Sequence, residues 1–229
     1  MEKRKKQIRY GLYFLVILLS VIVIMIISAL NLSQAAELIL LIIWILAVSV
    51  AVLAIDSWWY REIGKKYVSL AQAFQETLDA DQFIEGINKV FHGVTSVPLN
   101  NCKYIGLCAA YDQKKEYLIA KEMLSRVRIQ KLSTTDQAVY WADMALICFH
   151  LGQKEQACAI MDKQAAAFWE QKESEVLGGT LAVLDIHRAL AEGRIEAAKE
   201  LLDDTRVKWT HKRFQETYSE LEKVMDEFV

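Results

Sequence analysis

The side chains that could carry catalysis or bind a metal ion are few and scattered. Four histidines and four cysteines are spread over residues 92–211, namely His92, His150, His187, His211, Cys102, Cys108, Cys148 and Cys158. No two cysteines form a C-x-x-C pair, and none combines with a histidine at metal-site spacing. There is no G-x-S-x-G, no H-E-x-x-H and no phosphate-cradling glycine loop. The sequence therefore predicts no catalytic site, metal site or cofactor, and a protein that is not an enzyme.

Two apolar runs near the start of the chain dominate its organisation. Residues 10–36 carry no charged side chain, and residues 38–55 form a second uncharged run after Glu37. A helix of about 20 residues rises about 30 Å, the thickness of the hydrocarbon layer of a bilayer. We therefore predict two transmembrane helices, at about 10–31 and 37–55, joined by a short turn. The alternatives are a buried hairpin of a soluble protein and a signal peptide cleaved near residues 33–35.

Positive charge flanks the two runs and is missing between them. The head, residues 1–9, contains Lys3, Arg4, Lys5, Lys6 and Arg9, and the second run is followed by Arg61, Lys65 and Lys66. By the positive-inside rule, this distribution predicts that both termini are cytoplasmic. We expect a multi-pass protein of the plasma (inner) membrane, with a eukaryotic internal membrane as the alternative.

The rest of the chain, residues 57–229, is long enough for one cytoplasmic domain with its own core. Its acidic side chains outnumber its basic ones, which argues against a nucleic-acid partner. Cysteines on the cytoplasmic side are not expected to form disulfides.

Helical periodicity runs through this domain. A single proline and nine glycines in 229 residues suit an all-α fold. Apolar stripes predict helices on either side of a breaker at residues 93–101. Residues 133–136 offer N-caps for a helix over 138–151 that closes at Gly152. Further helices are predicted at 155–169 and at 195–207. Between them, a helical stretch with Gly178 and Gly179 near its start ends at Gly193.

From residue 101 onward the chain resembles a tetratricopeptide array. The resemblance is carried first by Leu107, Cys108 and their neighbours, and then by the equivalent positions of later units. The residues assigned to packing within and between repeats are Tyr104, Tyr111, Tyr117, Ala120, Trp141, Gly152, Ala157, Gly193 and Ala198. Leu70, Ala73, Phe83 and Gly86 form a weaker first unit. The repeat length drifts, the proline that often ends the second helix is absent, and Asp185 and Ile186 depart from the pattern. The resemblance implies an α-solenoid of about four helix pairs, with an irregular solenoid of another family as the alternative.

The resemblance also implies a concave groove lined by the first helix of each pair. The positions assigned to that groove as partner contacts are Ile105, Ala109, Val139, Ala142, His150, Val183 and His187. They are mostly apolar and lack the Lys, Arg and Asn of the carboxylate-clamp subclass. Such a groove would suit an amphipathic helix or a hydrophobic peptide.

The last segment, residues 211–229, spaces five apolar residues by four, three, four and three: Phe214, Tyr218, Leu221, Met225 and Phe228. This seam predicts one helix that caps the solenoid. It could instead fill the groove, or pair with a second copy of the chain to form a homo-oligomer.

The function expected from these features is that of a membrane-anchored adaptor or scaffold. Its helical repeats would recruit a protein partner at the cytoplasmic face, where confinement to one surface strengthens a weak contact. The alternative is an accessory or regulatory subunit of a membrane enzyme or transporter, bound through the transmembrane hairpin.

Overall fold

The structure, a computed structural model, describes residues 2–30 and 33–227, with side chains from residue 7 onward. The regular structure of these residues consists of eleven α-helices, α1 to α11, and one 3₁₀ turn at Ile129–Lys131. They contain no β-strand, so the predicted all-α class is confirmed. The chain divides into two compact units, Met1–Lys66 and Tyr67–Val229.

The first unit contains α1 (Glu2–Ala29) and most of α2 (Gln34–Thr77). Both helices are long and apolar enough to cross a membrane. Most of their large apolar side chains face outward, and Leu46, for example, is 61% exposed, whereas Ile27, Trp59 and Ile63 are buried. α2 begins at Gln34, inside the predicted turn, whose residues 31 and 32 lie outside the described part of the chain.

α2 continues well beyond the predicted end of the second span. It runs for 44 residues to Thr77, whereas the span was predicted to end near residue 55. The charged stretch after Asp56 contains no proline, and Arg61, Glu62, Lys65 and Lys66 favour a helix, so the helix continues through it despite Gly64. Three residues of the first apolar stripe, Tyr67, Leu70 and Phe74, lie in the C-terminal part of α2, and Leu78 follows its end.

A polar cluster joins the two helices of the first unit. Arg9 Nη2 donates a hydrogen bond to Asp56 Oδ1 at 2.6 Å, and the Tyr13 hydroxyl donates to the same oxygen. Arg9 Nε also donates to the Tyr13 hydroxyl at 3.2 Å, and its guanidinium lies 5.4 Å from the centre of the Trp59 ring. Arg9 and Asp56, which bound the apolar stretch in sequence, therefore pair with each other and set the register of α1 against α2.

The second unit begins with the end of α2 and continues through helices α3 to α11. Their bounds are α3 (Ala80–Val90), α4 (Val97–Gln113), α5 (Tyr117–Ser125), α6 (Thr134–His150), α7 (Lys154–Lys163), α8 (Ala165–Gln171), α9 (Gly178–Ala191), α10 (Ile195–Lys208) and α11 (Lys212–Asp226). Ser133 is the N-cap of α6 and accepts a hydrogen bond from the Asp136 backbone N–H, as predicted. Gly152 has φ of +72°, which lets the chain leave α6 in a left-handed turn.

Two predicted helix boundaries in this unit are wrong. The segment 93–101 was predicted to be non-helical, yet α4 begins at Val97, with Pro98 in its first turn. Proline is favoured there because its missing N–H has no intrahelical partner to lose. The predicted helix at 155–169 is divided at Gln164 into α7 and α8.

Helices α4/α5, α6/α7 and α9/α10 pack as pairs, and α6 also packs against α4 and α9. Ala120, Ala157 and Ala198 lie in the second helices of these pairs and are completely buried. A small side chain at such a position lets two helix axes approach closely. Asn101 ties the start of α4 to the loop after α5, because its amide donates to the Arg128 carbonyl and accepts from the Arg128 N–H.

The C-terminal helix α11 packs on the α9/α10 pair. The predicted seam is buried there from Phe214 to Met225, within a cluster that includes Val183, Leu202 and Trp209. Phe228 lies outside the described residues. The Tyr218 hydroxyl donates to the Trp209 carbonyl at 2.9 Å, which satisfies the one polar atom of that buried side chain. A Cβ on Gly179 would lie 2.6 Å from the Phe214 ring, so only glycine permits this approach.

Candidate binding site

A pocket of about 260 Å³ opens in the second unit, on the side of the first helices of the pairs. Its walls come from the end of α2, from α3, α4, α6 and α9, and from α11. Most of the lining is apolar, and it includes the aromatic side chains of Tyr67, Phe74, Phe83 and Phe214. The pocket is therefore bounded by five helices and by the C-terminal helix.

Four of the residues predicted to line a groove meet in this pocket: Ile105, Ala109, Val139 and Val183. Ala71 from α2 joins them. Ala142 is completely buried and is not part of the lining. His150 and His187 lie in a separate aromatic cluster rather than on the pocket wall.

Three charged side chains also line the pocket: Asp112 on α4, Asp143 on α6 and Arg213 on α11. Burial raises the pKa of Asp143 to about 7, with the Asp112 charge adding to the shift and Arg213 opposing it. Burial likewise raises the pKa of Asp112 to about 6, and Glu220 adds to that shift. Both carboxylates are thus held in an environment that disfavours their charge.

The carboxylate of Asp112 is incompletely satisfied. About 30% of its side chain is exposed, yet Oδ1 is shielded from solvent and accepts no hydrogen bond from any described residue. His150 Nε2 lies 3.9 Å from Oδ1, beyond hydrogen-bond reach. Buried polar atoms are nearly always paired in folded proteins, so an unpaired carboxylate oxygen on a pocket wall calls for an explanation.

Arg213 does not neutralise the two acids by direct contact. Its Nη2 donates to the Val176 carbonyl at 3.4 Å, and its guanidinium lies 4.4 Å from the Phe214 ring centre. Within the described part of the chain, no ion pair or hydrogen bond joins Arg213 to Asp143, although their charges influence each other.

The two predicted groove histidines stack with other rings. His150 lies parallel to Tyr117 at 4.5 Å, His187 lies parallel to Phe149 at 5.3 Å, and the two imidazoles meet edge-to-face at 5.4 Å. Burial lowers the pKa of His150, and it lowers the pKa of His187 to about 3. Both rings are neutral at pH 7, so neither supplies a cation to Asp112.

The polar side of α11 reaches the turn between α4 and α5. Lys115 Nζ lies 2.9 Å from Glu216 and also forms an ion pair with Glu220. Lys115 has φ of +62°, a conformation that is costly for a residue with a side chain. Lys115, three residues after Asp112, is therefore engaged by two glutamates of α11.

Asp112 and Asp143 were missed as site residues, although the sequence carries a signal for them. Ile105, Ala109 and Asp112 are spaced by four and three residues, and Val139, Asp143 and Leu146 repeat that spacing on α6. Each acid thus extends a predicted groove stripe along one helix face. Arg213 had no such signal, because its place in the pocket depends on how α11 packs.

The other reactive side chains do not gather into a site. Among the described residues, no group of three His, Cys, Asp or Glu side chains is placed to hold a metal ion. The four cysteines are free thiols, with Cys108 and Cys148 buried. Comparisons of the chain with protein-family models, with curated proteins and with solved structures find no match. The tetratricopeptide resemblance therefore rests on the residues alone.

Proposed function

We propose that the chain is a non-enzymatic adaptor of the plasma membrane. Helices α1 and α2 anchor it, with both termini in the cytoplasm. The second unit, a tetratricopeptide-like solenoid of about four helix pairs, binds an amphipathic helix or hydrophobic peptide of another protein. The observation that carries this proposal is the pocket between α4, α6, α9 and α11, because the face that forms it already borders an amphipathic helix of the chain itself.

The exposure pattern of the first unit supports membrane anchoring. Its outward apolar side chains would be costly in water and are at home in lipid. Residues 10–29 of α1 rise about 30 Å, which matches the hydrocarbon thickness. The Arg9–Asp56 pair lies at one end of that stretch, where charges can stay close to the headgroups.

The helix pairs of the second unit support the solenoid. Three successive pairs place a fully buried alanine in their second helix. At the start of the unit, the rings of Phe74 and Phe83 stack at 4.4 Å and join the end of α2 to α3. Gly86 lies directly against Leu70, as a small residue of a repeat should.

The location of the partner site is tested by affinity isolation of the cross-linked full-length chain from membranes. A soluble fragment is a poor tool, because a truncation between the two units would cut inside α2. Ala109, exposed on the pocket wall, is changed to Trp to fill the pocket. In a matched control, an outward stripe of α2 is changed to alanine at Ile43, Leu46 and Val50.

The adaptor proposal predicts that a stoichiometric partner follows the wild type and the α2 triple variant but is lost from Ala109→Trp. The opposite pattern, with loss only from the triple variant, would place the interaction in the hairpin. The chain would then be an accessory subunit of a membrane enzyme or transporter.

A further inference from the structure

We infer that the pocket recognises a lysine or arginine side chain presented among apolar residues of the partner segment. Asp112 accepts its hydrogen bond, and Asp143 is a second acidic contact. The inference rests on the proposed function and deepens it by specifying the chemistry of the partner.

The first argument is the unsatisfied acceptor. Asp112 lines the pocket, and its Oδ1 is shielded from solvent and has no hydrogen-bond donor among the described residues. An ammonium or guanidinium group is the donor that best satisfies a partly buried carboxylate, because it supplies both the proton and the opposite charge. His150 does not provide such a group. Its Nε2 lies 3.9 Å away, too far for a hydrogen bond, and burial lowers its pKa, so its ring carries no positive charge at pH 7.

The second argument is charge balance. Two acids and one basic side chain line the pocket: Asp112, Asp143 and Arg213. Outside the lining, Lys115 pairs with Glu216 and Glu220, and the Glu220 charge acts on Asp112. Lys115 is committed to the two glutamates, and Arg213 lies near Asp143 without contacting it. The excess negative charge favours one more cation at Asp112.

The third argument is size and lining. A volume of about 260 Å³ falls below the range of about 300–1,000 Å³ that is usual for cofactor and drug-sized ligands. Apolar walls with acids at one end suit a long side chain whose methylene stem packs while its charged head is bound. A side chain on a peptide therefore fits better than a nucleotide or a large metabolite.

The chain itself places one basic side chain at this pocket, although without a direct contact to either acid. Arg213 lies on α11, an amphipathic helix, and brings a guanidinium into the same pocket on the Asp143 side. A partner helix that carries one basic residue within its apolar face would repeat this arrangement at Asp112. The occupant we commit to is thus a basic residue of a protein segment.

Retaining two buried carboxylates costs stability, which supports a role in binding. Burial opposes the charge of both, and neither is compensated by an ion pair among the described residues. Groups of this kind persist where function requires them. If Asp112 and Asp143 only supported the fold, replacing either by the neutral, isosteric Asn would not be expected to raise stability.

The test uses the full-length chain in nanodiscs of phosphatidylcholine, a neutral lipid that does not attract basic peptides. The probes are three fluorescent amphipathic peptides of leucine, alanine and glutamine, identical except for Lys, Gln or Glu at the centre of the apolar face. Fluorescence anisotropy at pH 7.5 is expected to show the Lys peptide binding about tenfold to a hundredfold more tightly than the Gln peptide, with the Glu peptide weakest.

Protein variants locate the preference. Asp112→Asn is expected to reduce the Lys-to-Gln ratio to about twofold or less, and Asp143→Asn to reduce it partly. Asp204→Asn, at an exposed aspartate of α10, is the matched control and should leave the ratio unchanged. Thermal unfolding confirms that each variant is folded, and the comparison of peptides on the wild type needs no variant at all.

The pH dependence gives a second readout. Asp112 faces Tyr117 of α5, His150 of α6 and Glu220 of α11. Asp143 faces Tyr67 of α2, Cys108 and Asp112 of α4, and Arg213 of α11. Protonation of the two acids between pH 8 and pH 5 should abolish the Lys preference.

Equal affinity of the Lys and Gln peptides for the wild type would overturn the inference, as would a Lys preference that persists in both Asn variants. If all three peptides bind equally and Ala109→Trp abolishes their binding, the pocket binds segments without sensing charge, so the inference fails while the adaptor proposal stands. If none binds, the inference fails as well, and the adaptor proposal is judged separately by the cross-linking experiment on membranes.

Discussion

The two units of this chain place their apolar and charged side chains in opposite ways. In Met1–Lys66 most large apolar side chains face outward, and the polar cluster of Arg9, Tyr13 and Asp56 is paired. In Tyr67–Val229 the apolar side chains form a buried core, and Asp112, which lines the pocket, has one carboxylate oxygen without a hydrogen-bond donor among the described residues. Outward apolar surface indicates contact with lipid or protein, whereas unsatisfied buried charge indicates a place for a ligand.

The difference between the two polar clusters is informative in itself. A carboxylate that already has a guanidinium and a hydroxyl, as Asp56 has, acts as a structural tie between two helices. In Asp112, by contrast, one carboxylate oxygen has no hydrogen-bond donor among the described residues. Asp56 should therefore matter for assembly of α1 with α2, and Asp112 for binding. Substitutions can separate these two roles.

The largest effect is expected when the same leucine-to-alanine change is made in each unit. Leu184 is fully buried, so Leu184→Ala should lower the free energy of unfolding of the second unit by about 2–5 kcal/mol. Leu46→Ala, at an outward position, should leave it within about 0.5 kcal/mol. Chemical unfolding of the full chain in nanodiscs measures both. Equal losses would mean that Leu46 is packed in a core.

A charge placed on an outward position should distinguish lipid from water. Leu46→Lys puts a cation near the middle of the apolar run and should disfavour membrane insertion by about 3 kcal/mol. Val207→Lys, at an 83% exposed position of α10, should have no effect. Extraction of membranes at alkaline pH gives the inserted fraction. Insertion unaffected by Leu46→Lys would show that this position does not face lipid.

Removing a buried charge should stabilise the second unit. The folded-state pKa of Asp143 is raised to about 7, so the folded protein binds more protons than the unfolded chain between about pH 4 and pH 7. Its stability therefore falls as pH rises through that window, and the penalty persists above it. Asp143→Asn should gain about 2 kcal/mol at pH 8 and about nothing at pH 4.

Urea unfolding of wild type and Asp143→Asn across this pH range provides the measurement. A loss of stability at pH 8 would contradict the account, because it would mean that the ionised carboxylate contributes to the fold. A gain of stability together with loss of Lys-peptide binding would separate the fold from the function.

The smallest effect is expected for the ion pair between Arg9 of α1 and Asp56 of α2. Arg9→Gln, Asp56→Asn and the double variant form a cycle that isolates the coupling between the two side chains. Because the pair is partly exposed, we expect about 1 kcal/mol, measured by thermal unfolding in mixed micelles. Strictly additive losses would show that the pair makes no contribution of its own.

The fold class and most helices could be predicted because apolar residues recur at three- and four-residue spacing. Helix ends were harder. The second span was expected to end near residue 55, where the apolar run ends. The sequence between Asp56 and Tyr67 contains no proline, and α2 continues through it, so only the composition changes at that point. The division of α7 from α8 at Gln164 occurs among good helix formers, so helix propensity gives no sign of it.

The site was predictable only in part. The apolar wall followed from the stripes that contain Ile105 and Val139. Recognising Asp112 and Asp143 would have required extending those stripes by one turn or less and noticing a charge within them. Arg213 and the Arg9–Asp56 pair could not be predicted, because each depends on how helices distant in sequence pack against one another.

The central claim, that the first unit crosses the membrane and holds the second at the cytoplasmic face, is tested most directly by cysteine labelling in intact cells. The chain is given one new cysteine, Gln34→Cys, at the start of α2, and treated with a membrane-impermeant maleimide. The account predicts labelling of residue 34 in intact cells, whereas the half-buried native Cys158 reacts only after the cells are permeabilised. Labelling of Cys158 from outside, with residue 34 protected, would contradict it.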